Sequence, residues 1–231
     1  MLTDIEREAL TLSLKIALLS MAGSLPLGVA VALVLARGRF AGKALLDALV
    51  HLPLVLPPVV TGYGLLLLLG QNGPLGAWLD RSFGIVLAFR WTGAALASAI
   101  MGFPLMVRAI RLSIEAIDRR LEQAAGTLGA NRSWVFITVT LPLMAPGLIA
   151  GAILSFAKSL GEFGATITFV SNIPGETRTL ANAIFAFTQV PGGEAQTLRL
   201  CALSVALSVA ALLASEVLAR FARSRVGSHG A

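Results

Sequence analysis

Long apolar runs separated by short polar segments set the pattern of this chain. Five runs carry it, at roughly Thr11 to Ala36, Leu45 to Leu69, Thr92 to Val107, Leu143 to Phe163 and Leu198 to Leu218. An apolar stretch of roughly 18 to 20 residues crosses a bilayer as a helix. The pattern therefore predicts an all-α polytopic membrane protein with about five transmembrane helices. A further apolar run, Phe83 to Phe89, is too short to cross alone. It either extends the third span outward or lies in the interface. The whole chain, 1–231, reads as one transmembrane domain, with a polar loop at about 108–141 and further loops at about 70–91 and 171–197.

The basic residues between the runs give a direction. Arg37, Arg39 and Lys43 follow the first span, Arg108, Arg111, Arg119, Arg120 and Arg132 follow the third, and Arg220, Arg223 and Arg225 follow the last. With five spans these eleven share one side, and only Arg7, Arg81, Arg90 and Arg178 fall on the other. Lys and Arg collect on the cytoplasmic side. The N-terminus is expected outside and the C-terminus in the cytoplasm. The acidic start, MLTDIEREAL, precedes an apolar run too long for a cleaved signal, so the first run should stay as a helix.

Composition supports this picture and removes alternatives. Of 231 residues, 56% are hydrophobic and 13% charged, against roughly 25% charged in a soluble domain. The net charge of +6 does not point to nucleic acid, because it is spread through inter-span segments rather than along one face. The single Cys201 lies in an apolar run and reads as a small buried hydrophobe. His51 and His229 are too far apart in sequence to suggest a metal site, and no GxxxxGK[ST] phosphate loop occurs. No catalytic residue, metal or bound cofactor is expected.

One stretch departs from the rest: LEQAAGTLGANRSWVFITVTLP, Leu121 to Pro142. Its first half is small, polar and punctuated by glycine. A short helix from about Ile117 should end at Gly129 as a C-cap. Asn131 or Ser133 can cap a second short helix. Pro142 and Pro146 suit the first turn of the next span. Ala124, Ala125 and Gly126 give the first helix a nearly bare surface, which lets another backbone approach closely. A docking helix on the cytoplasmic side is the expectation.

This stretch resembles the signature of ABC-importer permeases, Glu-Ala-Ala, three residues, Gly, nine residues, then Ile-x-Leu-Pro. The matching positions are Gln123, Ala124, Ala125, Gly129, Val139, Leu141 and Pro142. Gln123 stands where Glu is usual, with Glu122 alongside, and Val139 where Ile is usual. KALLDALVHLPLVLPPVVTGYG, FPLMVRAIRLSIEAID, SLGEFGATITFVSNIPGETRTL and PGGEAQTLRLC are similar to segments of molybdate permeases. The chain thus resembles the membrane subunits of molybdate ABC importers; sulfate, thiosulfate and tungstate permeases share parts of these motifs. The resemblance implies a type I ABC-importer permease fold, MetI-like, in the cell (inner) membrane. It implies a homodimeric pore, two cytosolic ATPase subunits that use ATP-Mg, and an external binding protein that delivers the oxyanion. Glu122, Gln123, Ala124, Ala125, Gly126, Gly129, Leu141 and Pro142 would then couple the pore to the ATPase. A secondary transporter or channel is the rival class; it would need polar relays at mid-depth, which this chain almost lacks.

Inside the spans, Pro53, Pro57 and Pro58 interrupt the second run ahead of Thr61, Gly62, Tyr63 and Gly64. A helix broken at membrane depth exposes backbone groups and is tolerated inside protein or along a water-filled path. Pro57, Pro58, Thr61, Gly62 and Tyr63 are therefore candidates for the path, with a packing kink as the other reading. Ser159, Gly161 and Glu162 are further path candidates. Lys158 and Glu162 are spaced to pair along a helix. Counted from Pro142, Glu162 falls roughly 30 Å along, near the outer interface. A structural pair or an outer-mouth role fits an oxyanion carrier better than cargo binding by the carboxylate. Gly161 and Gly164 would allow a hinge. Trp78 and Trp91 read as interfacial anchors. Asp80, Glu176, Arg178 and Glu194 lie in the outer loops and are candidate contacts for the binding protein.

Overall fold

The computed structural model describes residues 3–227, and its regular structure is helical. Helix α1 (Asp4–Arg37) opens with a capping box: the Thr3 hydroxyl accepts from the Glu6 N–H, and Glu6 accepts from the Thr3 N–H. Helices α2 (Lys43–Val55) and α3 (Pro58–Leu69) meet at a bend of 111°. Helix α4 (Pro74–Phe83) ends at Gly84, whose φ is +65°. Helix α5 (Trp91–Glu115) follows, then α6 (Arg119–Thr127) and α7 (Arg132–Val135). A π-helical turn over Phe136–Thr140 joins α7 to α8 (Leu141–Leu160). Helices α9 (Gly164–Val170), α10 (Leu180–Thr188) and α11 (Glu194–Gly227) complete the chain.

Among the described residues four helical runs are long and apolar enough to cross a membrane, and the bent α2–α3 pair, counted as one broken span, brings the number to five. The expected five spans are present, with three differences. The third helix runs two turns past Val107, so Arg108 and Arg111 sit on α5 rather than in a loop. The fourth span is continuous back to Arg132 through the π turn and stops at Leu160 instead of Phe163. The second is broken at Pro57–Pro58, while Pro53 lies within α2 without interrupting it. Adjacent prolines remove two N–H donors, and the ring of Pro58 disfavours the helical region for Pro57, which sits extended at φ −54° and ψ 133°.

The centre is α1, α5 and α8, packed through small residues. The Ser20 hydroxyl reaches the Ala95 carbonyl across the α1–α5 crossing at 2.8 Å. A Cβ added to Gly102 would meet the Ser155 hydroxyl at 2.6 Å, and one on Gly151 the Met106 carbonyl at 2.9 Å. Lipid gives no hydrophobic drive between helices, so close backbone approach and the dispersion it permits hold such a bundle. An apolar cluster of Ala32, Leu35, Met106, Val107, Ile110, Ile114 and Met144 fills the end where α1 finishes. Another, with Ile16, Ala97, Met101, Ala165 and Phe169, fills the opposite end.

The apolar run Phe83–Phe89 does not extend α5. It leaves α4 at Gly84 and tucks Ala88 into the second cluster, with Phe89 in a left-handed conformation at φ +59°. The segments between spans are more ordered than their composition suggests. Glycine and proline start α4, and the Thr179 hydroxyl accepts from the Asn182 N–H to start α10. The side chains of Arg220, Arg223 and Arg225, and residue His229, lie outside what the structure describes.

Candidate functional site

The candidate residues fall into three groups at different levels of the bundle. The first is the α6–α8 segment. Asp118 caps α6 by accepting from the Arg120 N–H at 2.9 Å. At the other end Gly129, φ +88°, gives its N–H to the Gly126 carbonyl, and Ala130 gives its N–H to the Ala125 carbonyl. That pair of bonds is a Schellman stop, and its left-handed residue favours glycine. The expected role of Gly129 is thus present in the geometry. Of the two residues able to start the second helix, Asn131 does so, accepting from the Trp134 N–H at 2.8 Å.

Ala124 and Gly126 are exposed, and Cβ atoms added to Gly126 or Gly129 would find nothing within 4 Å. Leu121, Leu128, Trp134 and Ile137 are half or more exposed around them, Leu128 at 88%. A bare patch ringed by apolar side chains is what a docking surface presents. Glu122 differs from its neighbours. Its Oε1 accepts from Arg37 at the end of α1, at 3.1 Å, and from the Thr140 hydroxyl at 2.8 Å. It ties α6 to α1 and to the base of α8, and does not point away from the chain. Leu141 and Pro142 lie where the π turn passes into α8. Pro142 has no N–H for the Thr138 carbonyl and its ring crowds that oxygen. Leu141 instead donates to Phe136, five residues back. The π turn thus lies directly before this proline.

The second group is where two broken helices cross. A Cβ on Gly62 would lie 2.5 Å from the Ala165 carbonyl oxygen, and one on Gly164 2.7 Å from Pro58. Thus α3 and α9, each starting at a break, pass in backbone contact. Pro57 and Pro58 start α3, while Thr61 and Tyr63 follow on it; Tyr63 is 55% exposed. Gly161 ends α8, and Glu162 lies in the gap before α9. Glu162 is 1% exposed. Its Oε2 accepts from Lys158 Nζ at 2.6 Å and its Oε1 from the Ala165 N–H at 2.9 Å. The expected Lys158–Glu162 pair is formed. The neighbouring Ser159 hydroxyl bonds the Ser98 carbonyl, seven residues into α5, so Glu162, three residues further along, lies towards the end of the bundle where α5 begins. Ser159 itself is buried against α5.

The third group lies at the end where α1 begins. Asp80 and Glu194 are exposed there. Glu176 faces Arg90 at 3.7 Å, and Arg178 donates to Asn172 at 3.1 Å, so both are engaged within the chain. Trp91 lies under the Lys15 ammonium at 3.6 Å, a cation–π contact in addition to any anchoring role. Sequence reasoning missed this contact, and also the buried Glu6, which pairs with Arg199 of α11 at 3.0 Å and joins the first and last spans.

Comparison with known proteins agrees with this architecture. Residues 24–224 match the family described as binding-protein-dependent transport system inner membrane component. The chain belongs to this family. The permease is 59% identical over 226 residues to the molybdenum transport system permease protein ModB of Escherichia coli K12, covering 98% of this chain and 99% of that one. It is 55% identical over 222 residues to the protein of the same name from Haemophilus influenzae, covering 96% and 97%. Among solved structures, a bacterial ABC transporter involved in the import of the acidic polysaccharide alginate superposes with a TM-score of 0.71, at 16% identity, over 96% of this permease and 80% of that chain. That likeness establishes the fold, a type I ABC-importer permease, all-α as expected.

Proposed function

We propose that this permease is the membrane subunit of an ATP-driven importer for molybdate. The observation that carries the cargo reading is near-full-length likeness to ModB proteins at 59% and 55% identity. The chain acts as a transport subunit, not an enzyme. It is a homodimer whose path runs along the two-fold axis between α3 and the α8–α9 break of each protomer. A symmetric closed dimer is the simplest way for five spans to enclose a path. The exposed apolar stripe of Val59, Val60, Tyr63 and Leu67 on α3 supports this placement. Pro57, Pro58, Thr61, Gly62, Gly161 and Glu162 form the crossing beside the path, with Ser159 behind it against α5.

Gln123, Ala124, Ala125, Gly126 and Gly129 form the face that meets a separate ATPase, which binds ATP-Mg. Glu122, Leu141 and Pro142 hold that face at its angle. An external binding protein brings the oxyanion to the end bearing Asp80 and Glu194. Glu176 and Arg178 shape the adjoining loop there. On this reading the loop at 108–141 and the C-terminus are cytoplasmic, the loops at 70–91 and 171–197 are outside, and 1–231 acts as one domain.

The test is reconstitution. The permease is co-purified with its ATPase, placed in liposomes with ATP inside and the binding protein outside, and offered molybdate, tungstate or sulfate. Uptake of molybdate that requires both ATP and the binding protein is expected. Molybdate and tungstate are both tetrahedral dianions, so tungstate should also pass. Uptake without an ATPase would support a secondary transporter or channel, and uptake of sulfate alone would overturn the cargo.

A further inference from the structure

The spans hold one basic side chain whose place the fold alone does not explain. Lys15 and Arg199 lie near one end of the bundle, and Arg37, Arg108 and Arg111 near the other. Lys158 lies between them. The neighbouring Ser159 bonds Ser98, seven residues inside α5 from Trp91 and ten before Arg108. At 1.5 Å per residue Lys158 is roughly 10 Å in from one end and roughly 15 Å from the other. Leu154, Lys158 and Gly161 recur at helical spacing, and Leu154 and Gly161 are exposed. The Lys158 side chain keeps 29% of its surface open, although its partner Glu162 is closed off at 1%. An ammonium facing hydrocarbon is costly, so charged groups in spans face a bundle interior or a water-filled cavity. On the path placement proposed above, between α3 and the α8–α9 break, the open side of Lys158 faces the path.

We propose that Lys158 is the group that contacts the oxyanion within the membrane, and that Glu162 is a positioning residue for it. This rests on the oxyanion-importer reading above. A lysine ammonium has three N–H donors. One is directed to Glu162, and the described residues supply no acceptor for the other two. Glu162 is itself fixed, by the Ala165 N–H as well as by Lys158. The ammonium is thus held at one place with donors to spare. In a two-fold dimer two such ammonium groups face a doubly charged tetrahedral anion. Each also carries a carboxylate partner, so the net attraction is modest. A conducting site must bind well enough to admit its ion and weakly enough to release it. A lone pair of lysines would hold the dianion, whereas paired lysines pass it on.

Two arms of one experiment decide this. In the liposome assay, Lys158→Met/Glu162→Gln keeps an acceptor for the Ala165 N–H and removes both charges together. If the pair were only structural, replacing both partners would be close to neutral. We expect molybdate uptake to fall at least tenfold, with ATPase co-purification unchanged. Uptake within twofold of the unsubstituted complex would overturn the proposal. The second arm does not depend on that variant folding. Lys158→Cys, with Cys201→Ser, is assembled and then treated with a cationic aminoethyl thiosulfonate or with a neutral one of similar size. Restored uptake with the cationic reagent alone is expected; equal responses to both would overturn the proposal. Glu162→Gln should retain more radiolabelled molybdate on the purified complex while transporting it more slowly, and unchanged retention would count against the positioning role. The unsubstituted complex is run alongside. If it carries sulfate and not molybdate, the cargo reading fails, and the Lys158 arms are decided with sulfate.

Discussion

Two glycines separate conformational strain from lack of space. Gly129 has room for a side chain but a φ of +88°. Gly129→Val should cost about 1 kcal/mol or more at the Schellman stop, since a β-branched residue resists the left-handed region. The strain is confined to a loop, so insertion and dimerisation should survive. Retention of the ATPase on the purified permease should fall, and with it transport. Normal retention and normal hydrolysis stimulated by the loaded binding protein would remove this segment from coupling. Gly62 is the converse. Its conformation is ordinary, but a Cβ would lie 2.5 Å from the Ala165 carbonyl oxygen and 2.8 Å from the Ala165 Cα. Gly62→Ala should force α3 and α9 apart, at a cost of about 1–3 kcal/mol for overpacking. A detergent melt should show a lower Tm than the unsubstituted permease. Gly64→Ala, with nothing within 4 Å, should not lower it. Equal melts for the two variants would mean that the crossing is not tightly packed.

At the scale of elements, the π turn is the feature that the chain's periodicity did not reveal. An apolar run reads alike whether it is α- or π-helical over five residues. Only the backbone bonds show that the residues before Pro142 are rotated out of register with those after it. Pro142→Ala restores an N–H that can reach Thr138. The turn should relax towards α geometry and swing α7, α6 and their exposed face by roughly 100°, one residue of an α-helix. It should also break the Thr140–Glu122 bond. We expect correct insertion, retained melting temperature and loss of ATPase binding. Full ATPase coupling in Pro142→Ala would show that the face tolerates rotation. Other elements were legible because their signals are local. Pro57–Pro58 marks the break, Gly129 the stop, and Asn131 was one of two residues able to cap the next helix. The role of Glu122 was not legible, because its partner Arg37 is 85 residues away. Helices α4 and α10 went unseen because each is short and lies in a segment whose glycines and prolines read as turns.

For the whole molecule, the distribution of charge predicts a direction that the fold leaves open. The helix order puts the start of α1 beside the start of α11, through Glu6 and Arg199, and the end of α1 beside α6, through Arg37 and Glu122. Two ends of the bundle are thus defined without reference to a membrane. Arg37, Arg39, Lys43, Arg108, Arg111, Arg119, Arg120 and Arg132 crowd the end where α1 finishes. Some of this charge is offset, since Arg111 is shared between Asp47 and Glu115 and Arg37 is bound to Glu122. The bias follows the count of Lys and Arg, not the net charge, because acidic residues contribute little to orientation. The crowded end should be cytoplasmic. Cysteines at exposed loop positions test this without disturbing a cap. Thr3 is unsuitable, because its hydroxyl belongs to the capping box of α1. Gln71 and Ala41 are both exposed and lie in opposite end loops. With Cys201→Ser as background, an impermeant thiol reagent applied to spheroplasts should label Gln71→Cys and not Ala41→Cys. Lysis should expose Ala41→Cys. The reverse pattern would invert the molecule and place the α6 face outside, where no ATP is available, and coupling through that face would have to be abandoned.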